Sequence, residues 1–523
     1  MVGGKKQRHS IMDGFITFIV ILLAYCLSLH FTLDPGVSWH VTAAQRMLAG
    51  GNYLTNLFDD STPSTFALFI PLIWIHQLFA GNWPMMIPAY VYFFYAISFW
   101  LCYHVLSEYY SKHFHWRSLY YTILLSVIFF SLMILGQRET IGTVFIAPYL
   151  LMTAASPRKE NHKIIAWLIG LLAALAISQI PIDLIAIVTI DILCFIKRKK
   201  MTSQTDSSST RPLSSTENKS YFLSAQSSFY FSFILIMIVS YLLYPHYFTV
   251  ALPLTMCFES GYNSKAFELI LFNFPSLIIL ILQTVLLSFN SKKQFVTVHL
   301  LIASWLFLLI YYGQNKNWYY HIYPLYIFLS LLIMMNLYQK KNINFSLPQN
   351  FFMKLLLIFI FFPALYVTTE ILLSNINYFS YSLKMKEFFD TLNQFVKNKT
   401  LLTFGTQLEP TYPFVHYTNA TVVTPWSNIW LIPKWVNSAN PEKSICLFKV
   451  GQELFSQQTI NTLTKKTPEF ILLNAQKNIP YIQQENFDLL SFLNKNKKIE
   501  KLLSNYYDLT TIHHFRLLKR RNP

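Results

Sequence analysis

Twelve apolar runs dominate the chain. They begin near Gly14, Phe66, Met85, Leu119, Ile141, Ile164, Ile182, Phe229, Phe267, Val296, Ile322 and Phe351, and most offer the roughly 17–25 residues that a helix needs to cross a bilayer. A chain with so many such runs cannot hide them all in one water-surrounded core, so it reads as an α-helical multi-pass membrane protein. Composition agrees: 54% of the residues are hydrophobic and only 12% charged, against about 25% charged in soluble proteins. The first run is too long for a signal peptide and lacks a small-residue cleavage site, so a retained helix is expected there.

The formal net charge is +17, and its basic residues gather in short clusters between the apolar runs. Lys5, Lys6 and Arg8, then Arg158, Lys159 and Lys163, Lys197 to Lys200, Lys292 and Lys293, and Lys340 and Lys341 are each expected on the cytoplasmic side. The charge therefore reads as topology and implies no nucleic-acid partner. Twelve simple crossings would put the amino terminus and the later clusters on opposite sides, so one run is not a simple crossing. The expected fault is 119–155, where two short apolar halves flank Gly136-Gln137-Arg138-Glu139; taken as one net crossing it leaves about eleven spans, with thirteen the other odd count.

With eleven spans the expected division is a transmembrane module over 1–372 and an extracytoplasmic α/β domain over 373–523. A first outer loop at 34–64 and a second at about 245–266 share the outer side, and the Ser/Thr-rich cytoplasmic loop at 197–222 is expected to be disordered. Strand-like runs such as "LLTFG" and "FILLN" mark the tail. Cys26, Cys102, Cys194 and Cys257 lie in or beside apolar runs and Cys446 in the tail, which implies neither a disulfide framework nor a thiolate metal site. No internal repeat is visible, which weighs against the inverted-repeat transporters.

The first outer loop carries most of the acid on its side. Asp34-Pro35 suits a helix start, with Asp as N-cap and Pro in the first turn, followed by Val37, Val41, Ala44 and Leu48 on one face and Gly50-Gly51 as the stop. A helix lying on the membrane surface is the natural reading. Asp34 is thus either a cap alone or a carboxylate placed to take a proton from a hydroxyl at the water-filled face. Asp59 and Asp60 are either solvated loop acids or partners of Asp34 in the same chemistry.

Arg138 and Glu139 sit where charge is costly, so they form either a structural ion pair or a substrate site; an arginine there suits a phosphate. In "NKNWYYHIYP", Lys316 and His321 are set among aromatics, Tyr320 included, that fit an interfacial belt or the phosphate of a lipid carrier. A divalent metal held by Asp34, His40, Asp59, Asp60 and His321 is conceivable, but no HxxxH or HExxH spacing supports it. With 14 glycines in all and no Gly-rich phosphate loop, a nucleotide site has no support either.

These features together resemble the GT-C glycosyltransferases, in particular protein O-mannosyltransferases and bacterial aminoarabinose and arabinosyl transferases. The resemblance rests on the acid after the first span, on an amphipathic helix of the form "xxAxxxLxGxxY" at Ala43 to Tyr53, on an acid shortly before Pro63, on the many spans, and on an outer carboxy-terminal domain. "GQRETIGTVFIAPYLL", "NKNWYYHIYP" and "YPFVHYTNATVV" add to it. The family often has paired prolines after the second acid, whereas Thr62-Pro63-Ser64 keeps one, so the register of Asp59 against Asp60 stays open. The resemblance implies transfer of a sugar from a polyprenyl-phosphate carrier to a glycan, lipid or protein hydroxyl at the outer face of a bacterial inner membrane, with inversion. It further implies Asp34 as general base with Asp59 and Asp60 as companion acids, Arg138, Lys316 and His321 on the donor phosphate, and His40, Glu139 and Tyr320 lining the cavity. A flippase or an O-antigen polymerase or ligase for lipid-linked sugars is the competing class.

Overall fold

A computed structural model describes residues 2–110, 116–155, 163–205, 220–258, 263–288, 295–340, 347–437 and 448–521, apart from 478, 480, 481 and 485. The expectations for Arg158, Lys159, Lys292, Lys293, Lys341, Cys446 and most of the 197–222 loop fall outside the described residues. Along the chain run α1 (Val2–Ser28), α2 (Pro35–Leu48), α3 (Pro63–Ala67), α4 (Ile70–Phe79), α5 (Trp83–Tyr109), α6 (Trp116–Ser131) and α7 (Arg138–Ala154). Then follow α8 (Lys163–Gln179), α9 (Leu184–Thr205), α10 (Ser220–Leu243), α11 (Leu252–Phe258), α12 (Ala266–Phe272) and α13 (Phe274–Ser288). The last long helices are α14 (Phe295–Gln314), α15 (Tyr319–Lys340) and α16 (Leu347–Val396). The tail adds strands β1 (Thr400–Phe404), β2 (Thr421–Val422), β3 (Phe470–Asn474), β4 (Tyr506–Ile512) and β5 (Phe515–Arg520).

The chain divides into two compact units, one of 1–29, 88–237 and 264–378, the other of 30–87, 238–263 and 379–523. The first is the helical bundle of a multi-pass membrane protein. Among the described residues, five helices of the chain are long and apolar enough to cross a membrane: Ser10–Ser28, Trp83–Tyr109, Trp116–Ile134, Ser224–Leu243 and Phe295–Gln314.

Hydrogen bonds inside this unit fix the direction of its early helices. At one end Tyr103 and Arg117 reach the buried Asp13 carboxylate at 3.2 and 3.0 Å, and Tyr110 Oη donates to the Leu151 carbonyl at 2.8 Å. At the other, Tyr92 Oη donates to the Ala24 carbonyl at 3.1 Å and Tyr319 Oη to the Phe130 carbonyl at 3.1 Å. Helices α1 and α5 therefore run antiparallel, as do α6 and α7. The break expected at Gly136 to Glu139 is there: 119–155 forms α6 and α7, and of the two Trp116–Ile134 is long and apolar enough to cross a membrane.

Helix pairs in this unit approach closely where small residues allow it. A Cβ on Gly170 of α8 would lie 2.2 Å from the Ala225 carbonyl oxygen of α10, and Ser228 Oγ donates to the Trp167 carbonyl at 2.7 Å across the same seam.

The second unit is built on a five-stranded sheet in the order β2-β1-β3-β5-β4. Strand β1 runs parallel to β2 and β3, and β5 pairs antiparallel with β3 and β4. The last turns of α16 cover it: Phe388, Phe389, Leu392 and Val396 form one core with Leu401, Phe470, Leu472, Phe515 and Leu517. That helix runs unbroken through residue 373, and its 379–396 portion belongs to the sheet's unit.

Helix α2 is also inside this unit. Every residue from Gly36 to Ala44 is buried, so it does not lie on a membrane surface as expected. Trp39 packs on Tyr412 at 5.1 Å, and His40 lies between Phe66 and Phe69 at 5.9 and 6.1 Å. Its amphipathic pattern shows one apolar face to the sequence, while the tail and α3–α4 cover the rest. The helix stops as expected, at Gly50 with φ +79°. Cys257 is disulfide-bonded, whereas Cys26, Cys102 and Cys194 are in no disulfide; pairing between cysteines follows tertiary proximity, which spacing did not reveal.

Candidate active site

Asp34 occupies the position its sequence context requires. It is the N-cap of α2, its Oδ1 accepting from the Val37 amide at 3.0 Å, so the capping role is real whatever else the carboxylate does. The side chain is only partly buried, unlike those of Asp59 and His40, which are 4% exposed.

Asp59 and Asp60 lie at the far end of the same loop in different settings. Asp59 Oδ2 accepts from the Ser61 amide at 3.2 Å, and its Oδ1 accepts from Ser427 Oγ of the tail at 2.5 Å. Asp60 is partly exposed. Both carboxylates face the buried Tyr53, whose phenol is held well above its usual range, first by burial, then by Tyr247 and Asp59. Tyr53 in turn donates to the Ser61 carbonyl at 2.7 Å.

The loop is stitched to the tail over much of its length. Phe58 forms a parallel bridge with Trp426, its amide donating to the Pro425 carbonyl at 3.2 Å. Arg46 donates to the Asn56 and Val422 carbonyls at 3.0 and 3.3 Å, and Gln458 to the Leu54 carbonyl at 2.8 Å. His416 Nε2 lies 3.0 Å from the Ser38 carbonyl, and burial holds its imidazole down to about 4, with His76 adding to the effect and the Ser38 bond opposing it. Ser427 is 368 positions from Asp59, and no motif announced it.

The first unit gathers the other sequence-predicted residues. Arg138 opens α7, its Nε 3.1 Å from Glu139 Oε1; the same oxygen is 3.7 Å from His321 Nε2 on α15. Lys316 is 3% exposed, with its Nζ 4.5 Å from the centre of the Trp318 ring. Trp318 and Tyr320 flank His321 at 5.2 and 4.6 Å. Asp183, buried in the turn between α8 and α9, lies within electrostatic reach of Glu139 and Arg138. It was missed, although an acid in "QIPID" between two apolar runs carries the same signal that singled out Arg138 and Glu139.

Arg138, Glu139, Lys316, His321 and Tyr320 are thus brought together in one unit, and Asp34, His40, Asp59 and Asp60 belong to the other. Among the described residues no three His, Cys, Asp or Glu side chains are grouped as a metal site.

Comparison with solved structures adds the fold. ArnT from Cupriavidus metallidurans bound to undecaprenyl phosphate matches over 97% of this chain and 97% of its own, with a TM-score of 0.51 and 10% identity. The apo state of the same protein matches over 96% and 97%, with a TM-score of 0.51 and 9% identity. The chain shares the fold of these structures over nearly its whole length. At this identity the likeness is one of fold, and it spans the helical bundle and the tail sheet alike. No family model and no curated protein sequence matches the chain.

Proposed function

We propose that this protein is a membrane glycosyltransferase that moves a sugar from a polyprenyl-phosphate carrier to an acceptor hydroxyl, with inversion. The observation that carries the reading is the end-to-end likeness in fold to a protein solved with undecaprenyl phosphate. Asp34 takes the proton of the acceptor hydroxyl as its oxygen attacks the anomeric carbon. The bond from that carbon to the phosphate oxygen breaks, and polyprenyl phosphate leaves with the electron pair. Arg138 and Lys316 stabilise the departing charge, with His321 as a further donor. Asp59, fixed by Ser427, and Asp60 complete the acidic side of the loop that also carries His40, and Glu139 and Tyr320 stand beside the phosphate's cations.

The orientation that follows has the amino terminus in the cytoplasm of a bacterial cell and the sheet outside its inner membrane. The disulfide at Cys257 supports an oxidising environment for the second outer loop. Purified protein in lipid nanodiscs, given undecaprenyl-phosphate-linked labelled sugars and an envelope extract as acceptor, is expected to release undecaprenyl phosphate and label the acceptor. Failure of a monodisperse protein to bind undecaprenyl phosphate would overturn the proposal.

A further inference from the structure

The charge cluster of the first unit contains more acceptors than a phosphate can use. Two cations, Arg138 and Lys316, stand there with two buried acids, Glu139 and Asp183, at 4% and 6% exposure. Burial, and then Glu139, holds the Asp183 carboxyl up to about 8, so it keeps its proton at neutral pH, while the Glu139 carboxylate repels a phosphate oxygen and the group as a whole is not a simple anion site. Three buried atoms at this end of the bundle have no hydrogen-bond partner: Glu139 Oε2, His321 Nδ1 and Gln179 Oε1. Leaving such atoms unpaired is costly, most of all for a charged group.

The packing of α7 on α8 places Gln179 and Asp183 with Glu139. A Cβ on Gly142 would touch Ile180 and Ala176 at 3.8 and 3.9 Å, so the last turn of α8 and the turn after it lie along the first turn of α7. Gln179 spends its Nε2 on the Leu175 carbonyl at 3.1 Å, which leaves the amide oxygen as the group it offers. The Glu139 carboxylate and the Gln179 amide oxygen accept hydrogen bonds and donate none, while the protonated Asp183 carboxyl can donate one and accept another. The ligand they suit therefore carries several O–H groups. Trp318 and Tyr320, beside His321, supply flat apolar faces of the kind that cover the C–H side of a sugar ring.

We propose that Glu139, Asp183 and Gln179 form the subsite for the hydroxyl groups of the donor's sugar, next to the cations that hold its phosphate. The proposal rests on the polyprenyl-phosphate reading above and deepens it: these groups select a polyhydroxyl head group, and the carrier's phosphate and tail do not need them.

The test compares bare undecaprenyl phosphate with undecaprenyl phosphate bearing glucose, galactose or arabinose, each bound to full-length protein in nanodiscs. At least one sugar is expected to tighten binding to the wild type over the bare carrier. In monodisperse Gln179→Met and Asp183→Asn variants that advantage is expected to shrink, roughly 5-fold for each neutral group. Affinity for the bare carrier is expected to stay within 2-fold, which also reports that each variant is folded. The subsite is overturned if no sugar adds affinity, if the advantage survives in both variants, or if bare and sugar-bearing carriers weaken together. Wild-type protein that binds neither form overturns the polyprenyl-phosphate reading itself, a result distinct from the other three.

Discussion

Asp34 offers a test in which its two roles separate. Its Oδ1 accepts from the Val37 amide at 3.0 Å at the start of α2, and asparagine caps a helix about as well as aspartate. Asp34→Asn therefore keeps the cap and loses the charge, whose favourable interaction with the helix amino terminus amounts to about 0.3–1 kcal/mol. Asp34→Ala loses the cap as well, at about 1 kcal/mol. Both remove the base, which contributes roughly 100- to 10,000-fold to a proton-transfer step. A 1 kcal/mol loss changes a folding equilibrium by only about 5-fold, and a domain with a typical stability of about 5–15 kcal/mol remains almost wholly folded after it. Both variants are thus expected to lose at least 100-fold in turnover while differing from each other only in thermal midpoint. The assay pairs initial rates of sugar transfer with thermal unfolding of the same nanodisc samples. Wild-type turnover in Asp34→Asn would reject the catalytic role and leave a capping residue. Activity that falls only with the folded fraction across the two variants would do the same.

Three further outcomes follow from the packing. Ser427→Ala removes the tail's donor to Asp59 and is expected to lower kcat/KM about 5- to 10-fold, with Ser427→Thr restoring most of it; equal kinetics in all three proteins would show that this bond positions nothing. Gly170→Ala puts a Cβ 2.2 Å from the Ala225 carbonyl oxygen, whereas one on Gly14 meets nothing within 4 Å, so the first is expected to cost about 1–3 kcal/mol and Gly14→Ala almost nothing, read as thermal midpoints in detergent. His416, held down to about 4, stays neutral in the folded protein while the unfolded chain takes up a proton below about 6.5. Its share of stability is therefore complete above that pH and declines as pH falls toward 4, by about 3 kcal/mol. Denaturant titrations between pH 7 and 4 should show this decline and its loss in His416→Gln; an unchanged pH dependence in the variant would assign the decline to other groups.

The residues legible in the sequence were those whose local context carries their chemistry. Asp34-Pro35 and Gly50 mark a helix start and stop wherever they occur, and Arg138-Glu139 between apolar halves announces a costly buried charge. The partners that give these residues their setting were not legible, because they come from remote segments. Asp59 meets Ser427, Ser38 meets His416, and Glu139 meets His321. Helix α2 shows the limit most plainly: its periodicity predicts one covered face, and the structure covers all of it, since strands and turns from beyond residue 400 supply the second covering.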